Sequence, residues 1–137
     1  MNKIDFLSNW QKNIAIGLGE VILTERTSKG ENTSMLIMST NQFDNLINFH
    51  WENFRKLNKE SLIYKYFDRD YIRGDEKWAV DIEMKIENIS EFINHLENID
   101  KNYEPLDLVK KEYEAVIEFC KKILSNNTQL YFIADDY

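Results

Sequence analysis

Asp81, Glu83 and Lys85 stand two residues apart, in a run that interleaves them with Trp78, Val80, Ile82, Met84 and Ile86. Side chains two apart on a strand share a face. Two carboxylates and an ammonium would then lie side by side. Carboxylates so placed can bind Mg²⁺, and a neighbouring lysine can position the water that attacks a phosphodiester. Asp68, Asp70 or Asp75 could supply a further ligand from upstream. The same letters also arise from alternating charge on the solvated face of a half-buried strand.

Other reactive side chains are few. The loop from Asp68 to Glu76 is rich in oxygen ligands, but it breaks the calcium-loop pattern. Ile72 falls at a ligand position, and Gly74 comes one residue late for the sharp turn. His50 lies near the apolar stripe of its segment and His95 between Asn94 and Leu96; neither has a second His or Cys at metal-ligand spacing. Both read as core-edge or surface histidines. The single cysteine, Cys120, falls among apolar residues at helical spacing, where a thiol behaves as a small hydrophobe. Gly17-Leu-Gly19 continues as Glu-Val-Ile and lacks the third glycine of a dinucleotide fingerprint. The expectation is a chain with no catalytic residue, no cofactor and no metal.

These residues must be held by elements that hydrophobic periodicity predicts. Ile4, Leu7, Trp10 and Ile14 predict a helix over 4–16, ended by Gly17 and Gly19. Glu20 to Arg26 and Ser34 to Ser39 predict a hairpin around Gly30, with the second strand interior because Met35–Met38 is apolar on both faces. Thr40 is placed to cap a helix that carries Phe43, Leu46, Ile47, Phe54 and Leu57 to about Lys59. Residues 61–67 fit strand or helix. Trp78 to Ile86 reads as a half-buried strand. Asn88 and Glu91 form a capping-box pattern ahead of Phe92, Ile93 and Leu96. Glu104-Pro105 opens a long helix that ends at Asn126-Asn127, and Gln129 to Ala134 reads as a last strand. The order predicts one α+β domain over residues 1–137. Its antiparallel or mixed sheet of about four to five strands packs against about four helices.

With 43% hydrophobic residues in 137, one proline and four glycines, the chain can bury a substantial core and reads as a single domain without a linker. No apolar run approaches membrane-spanning length, no targeting signal is evident, and one cysteine allows no internal disulfide, so a cytoplasmic address is expected. Fifteen Asn and sixteen Ile against four Ala point to an AT-rich genome, bacterial or phage. Charge is uneven. Residues 1–67 carry seven acids and eight bases, net +1, whereas residues 68–137 carry seventeen acids and nine bases, net −8. An acidic half repels nucleic acid and anionic lipid and attracts a basic protein surface.

Tyr64, Tyr66, Tyr71, Tyr103, Tyr131 and Tyr137 are scattered among carboxylates, and tyrosine suits interfaces because it pairs rigid area with a polar tip. In this general character the chain is similar to the immunity proteins of bacterial contact-dependent and polymorphic toxin systems. The similarity implies a non-enzymatic inhibitor of a cognate basic toxin domain, commonly a nuclease, with no direct nucleic-acid or membrane partner. The expected contacts are Asp68, Asp70, Tyr71, Asp75, Glu76, Asp81 and Glu83, with a second patch at Asp135, Asp136 and Tyr137. Two alternatives remain: a phage-encoded acidic mimic of nucleic acid that blocks a host defence nuclease, and a metal-dependent nuclease. In the second, Asp81, Glu83 and Lys85 would resemble the metal site of restriction-type nucleases.

Overall fold

Apolar residues at alternate positions of two segments, and the continuous run Met35–Met38, call for a sheet with one face against helices. The computed structural model describes residues 1–7, 19–49, 51–68, 83–100, 102 and 104–135. Its strands are β1 (Asn2–Asp5), β2 (Glu20–Arg26), β3 (Asn32–Ser39), β4 (Met84–Ile86) and β5 (Gln129–Asp135). They lie in the order β1-β3-β2-β5-β4. β1 runs parallel to β3 and every other pair is antiparallel, so the sheet is mixed. The β2–β3 hairpin turns through Gly30, whose φ of +87° favours a residue without Cβ. β3 is interior as expected, with β2 on one side and β1 on the other.

Direct cross-strand partners share a face, so the register sorts the side chains. Leu23 stands opposite Leu36 on one side and Phe132 on the other; Val21 stands opposite Met38 and Ala134. All of these are buried. The opposite face holds Ile22, Ile37, Ile133, Tyr131 and Arg26. Against the first face pack α1 (Thr40–Ile47) and, through Tyr66 on Phe132, α2 (Leu62–Phe67); α3 (Ile89–Glu97) and a single turn α4 (Glu104–Asp107) pack on the helices, and α5 (Lys110–Asn126) lies on β3 and β5. A 3₁₀ helix spans Trp51–Lys56. Phe43 of α1 is the centre of the core, with ring centroids 4.8 Å from Tyr66, 5.7 Å from Phe132 and 6.3 Å from Phe92. The result is one α+β domain, a five-stranded mixed sheet with helices packed against it.

Local chemistry departs from the sequence reading at four places. Ile4 and Asp5, expected at the start of the first helix, belong instead to β1; Leu7 donates its N–H to Asp5 Oδ1 at 2.9 Å, and residues 8–18 lie outside the described residues. The cap of α1 is Ser39 rather than Thr40: Ser39 Oγ accepts from Gln42 N–H at 3.0 Å, and Gln42 Oε1 accepts from Ser39 N–H at 2.7 Å. α1 does not run to Lys59, because Asn48 turns left-handed at φ 42°. The long helix expected from Glu104 breaks after Asp107 and restarts at Lys110. Residues 62–67 prove helical, with the Ser61 hydroxyl accepting from Tyr64 N–H. Of the strand expected over 78–86, Met84–Ile86 is observed, and 78–82 lie outside the described residues.

Candidate interaction surface

Three residues of the expected contact set fall on described positions. Asp68 ends α2, its N–H bonded to Tyr64 O at 2.9 Å. Asp135 is the last residue of β5 and stands opposite Glu20 of β2. Glu83 directly precedes β4, one residue before the Met84–Phe132 pair, so it projects from the face away from the helices. Asp70, Tyr71, Asp75, Glu76, Asp81, Asp136 and Tyr137 lie outside the described residues. Glu83 and Asp135 therefore share the outer face of the sheet.

Glu83 is engaged by a cation of the chain itself. Arg26 Nη1 lies 2.8 Å from Glu83 Oε1. The same guanidinium sits 4.0 Å from the centroid of the Tyr131 ring, and its Nε donates to Asn32 Oδ1 at 2.6 Å. The Glu83 hydrogen bond is the main reason the guanidinium is held above its ordinary pKa. Lys85, the third member of the Asp81–Glu83–Lys85 set, has its ammonium 3.9 Å from Glu87. A divalent ion would have to compete with Arg26 for the Glu83 carboxylate. Among the described residues no three His, Cys, Asp or Glu side chains are grouped to hold a metal.

The tyrosines and histidines take mostly structural places. Tyr66 is buried in the core and its hydroxyl donates to Asp44 Oδ1 at 2.6 Å. Tyr64 stacks on Phe54 with centroids 4.8 Å apart, and Phe49 packs on Phe67 at 5.3 Å. Tyr131 lies beneath Arg26. His95 Nε2 is 2.6 Å from the Ile47 carbonyl, so the ring hydrogen-bonds to the C-terminal turn of α1. His50, Tyr103 and Tyr71 lie outside the described residues. Cys120 is fully buried, and burial pushes its thiol up to about 12.

One cluster escaped the sequence reading. Glu25 follows Val21 and Leu23 on the helix-facing side of β2, and its side chain is only 2% exposed. Burial alone would push such a carboxyl up. Hydrogen bonds from Thr128 and Asn126, with help from Thr33 and Ser34, outweigh it and bring Glu25 down to about 2. Thr128 Oγ1 donates to Glu25 Oε2 at 2.6 Å, Asn126 Nδ2 to the same oxygen at 3.1 Å, and Lys122 Nζ stands 3.5 Å from Oε1. Lys122 also donates to Ser34 Oγ at 2.8 Å. The arrangement is a fully satisfied anchor between the end of α5 and the sheet. Its one legible signal was an acid at the i+4 position of an otherwise apolar strand face.

The helical layer presents the acids outward. Glu97 pairs with Lys121 at 3.2 Å, but Glu104, Asp107, Glu114 and Glu118 form no ion pair among the described residues. Lys110 shares the α4–α5 corner with Asp107 and Glu114. At that corner Leu108 is 70% exposed, beside a groove of about 350 Å³ lined by Leu106, Asp107, Lys110, Tyr113 and Glu114. Carboxylates around an exposed aliphatic side chain can steer and then anchor a basic surface.

No family model matches the chain, and no curated protein or solved structure shows significant similarity to it. No described helix is long and apolar enough to cross a membrane.

Proposed function

We propose that the protein is a non-enzymatic inhibitor, a cytoplasmic immunity protein that binds and neutralises a cognate toxin domain with a basic surface, a nuclease in the simplest case. The observation that carries this reading is the net charge of −8 over residues 68–137, much of it on exposed carboxylates of the helical layer. Such a field accelerates encounter with a basic partner and disfavours nucleic acid and anionic lipid. The proposed contacts are Asp68, Asp70, Tyr71, Asp75, Glu76, Asp81 and Glu83, with Asp135, Asp136 and Tyr137 as a second patch. Glu83 shares its charge with Arg26, which lowers its contribution to a partner. The Arg26 pairing also favours inhibition over metal-dependent hydrolysis at Glu83.

The test is capture from lysate of the source cells on the immobilised protein and on a D68K/D70K/D75K variant, read by mass spectrometry. A basic protein held by the wild type at low salt, weakened at high salt and lost from the variant supports both the reading and the contact face. A partner held equally by both forms moves the contact elsewhere, and the α4–α5 corner is then the next surface to reverse. Absence of any stoichiometric basic partner at either salt counts against the inhibitor itself.

A further inference from the structure

Residues three, four and seven apart on a helix share a face, and Ala115, Glu118, Phe119 and Lys122 are so spaced along α5. On the sheet, Asn2 stands opposite Ser34 and Ile4 opposite Leu36, so these side chains turn toward the helical layer. α5 lies on β3 and β5, and β1 is the next strand beyond β3. The sheet therefore runs one strand past the helix, and a groove of about 160 Å³ opens between β1 and α5. Its walls are Ile4, Met35, Ala115 and Phe119. Ala115 leaves the room, since a longer side chain at that position would fill it.

One end of the groove is polar. Lys122 Nζ donates to Ser34 Oγ at 2.8 Å and stands 3.5 Å from Glu25 Oε1. Ser34 and Glu25 are buried, whereas the Lys122 side chain is 42% exposed. An ammonium has three donors, and these two partners use two. Lys122 also lines the groove, so its third donor can meet an acceptor seated there.

Size and chemistry select the occupant. A cavity of about 150 Å³ holds one benzene ring, whereas pockets that enclose whole small ligands begin near about 300 Å³. The groove fits one side chain better than a free metabolite. Phenylalanine would strip water from Lys122 and give no hydrogen bond back. Tryptophan offers a donor and no acceptor. Tyrosine matches both ends, with a ring for the walls and a hydroxyl oxygen for Lys122. Glu118 lines the groove and forms no ion pair among the described residues, so it favours a cation beside that tyrosine.

We propose that the groove between β1 and α5 receives a tyrosine side chain of a basic protein partner, its ring against Ile4, Met35 and Phe119 and its hydroxyl accepting from Lys122. The inference rests on the inhibitor reading for the source of the tyrosine and adds a contact to it.

The experiment is an NMR titration of the full chain, read at the methyl groups of Ile4, Met35 and Ala115. The probes are p-cresol and toluene, the side-chain analogues of tyrosine and phenylalanine, each to about 5 mM. Two capped tripeptides, Lys-Tyr-Lys and Glu-Tyr-Glu, follow. p-Cresol should shift all three methyl groups and bind about fivefold more tightly than toluene. Lys-Tyr-Lys should bind at least about threefold more tightly than Glu-Tyr-Glu at low salt. Ala115→Leu, checked for folding by circular dichroism, should abolish the shifts. Absence of shifts at these methyl groups, or equal binding of p-cresol and toluene, overturns the proposal. Binding of p-cresol without either tripeptide overturns it in favour of a free phenol, and equal binding of the tripeptides removes the basic partner. Lysate capture separates the two readings. A basic partner held equally by wild type and Ala115→Leu overturns the groove contact and leaves the inhibitor standing.

Discussion

Glu25 shows how a single residue can stabilise a fold through its charge. Its carboxyl, ordinarily near 4.5, is brought down to about 2 by the hydroxyl and amide donors around it. A group held below its unfolded value stabilises fully above that value. The contribution of Glu25 is therefore complete above about pH 4.5 and fades as the pH falls through 2. Its size is on the order of 3 kcal/mol. Glu25→Gln keeps the shape and removes the charge. Its urea-unfolding deficit relative to the wild type should be about 2–3 kcal/mol at pH 7 and shrink steadily toward pH 2. A deficit that stays constant over that range would mean the charge is not what the cluster holds. Cys120 offers a second test at this scale. A thiol pushed up to about 12 inside α5 should resist a thiol reagent at pH 8 and label only as fast as the protein unfolds. Rapid labelling of native protein would show that α5 opens locally.

Among the elements, α1 shows where stability is concentrated. Ser39 closes a reciprocal capping box and is itself buried, whereas Thr40 is the first helical residue. Ser39→Ala should cost about 1 kcal/mol or more, and Thr40→Ala less than about 0.5 kcal/mol, by thermal or urea unfolding. Equal losses would return the cap to Thr40. This pair also marks what was legible in the sequence. Long periodic segments announced themselves: the β2–β3 hairpin, β5, α3 with its Asn88 cap, and most of α5 follow from apolar spacing and turn chemistry. β1 did not, because Asn-Lys-Ile-Asp carries no strand signal of its own. Parallel pairing to β3 makes it a strand, and pairing is a long-range fact. The helix expected to reach Lys59 ends at Asn48 because asparagine tolerates the left-handed conformation, which a hydrophobic stripe does not encode. The acids of the candidate site were visible as letters, but the partner of Glu83 was not. Arg26 reaches it across β5, over Tyr131, and only the sheet order brings them together.

For the molecule as a whole, the acidic half carries the account. Binding to the basic partner should weaken steeply with salt, because it rests on many exposed charges. The most direct measurement is a titration of the captured partner's hydrolytic activity with this protein at moderate salt. Inhibition predicts a linear fall to zero at one equivalent of chain, with no turnover by this protein alone in Mg²⁺. Undiminished partner activity beyond one equivalent, or hydrolysis by this protein alone that is lost in Glu83→Ala, would contradict it.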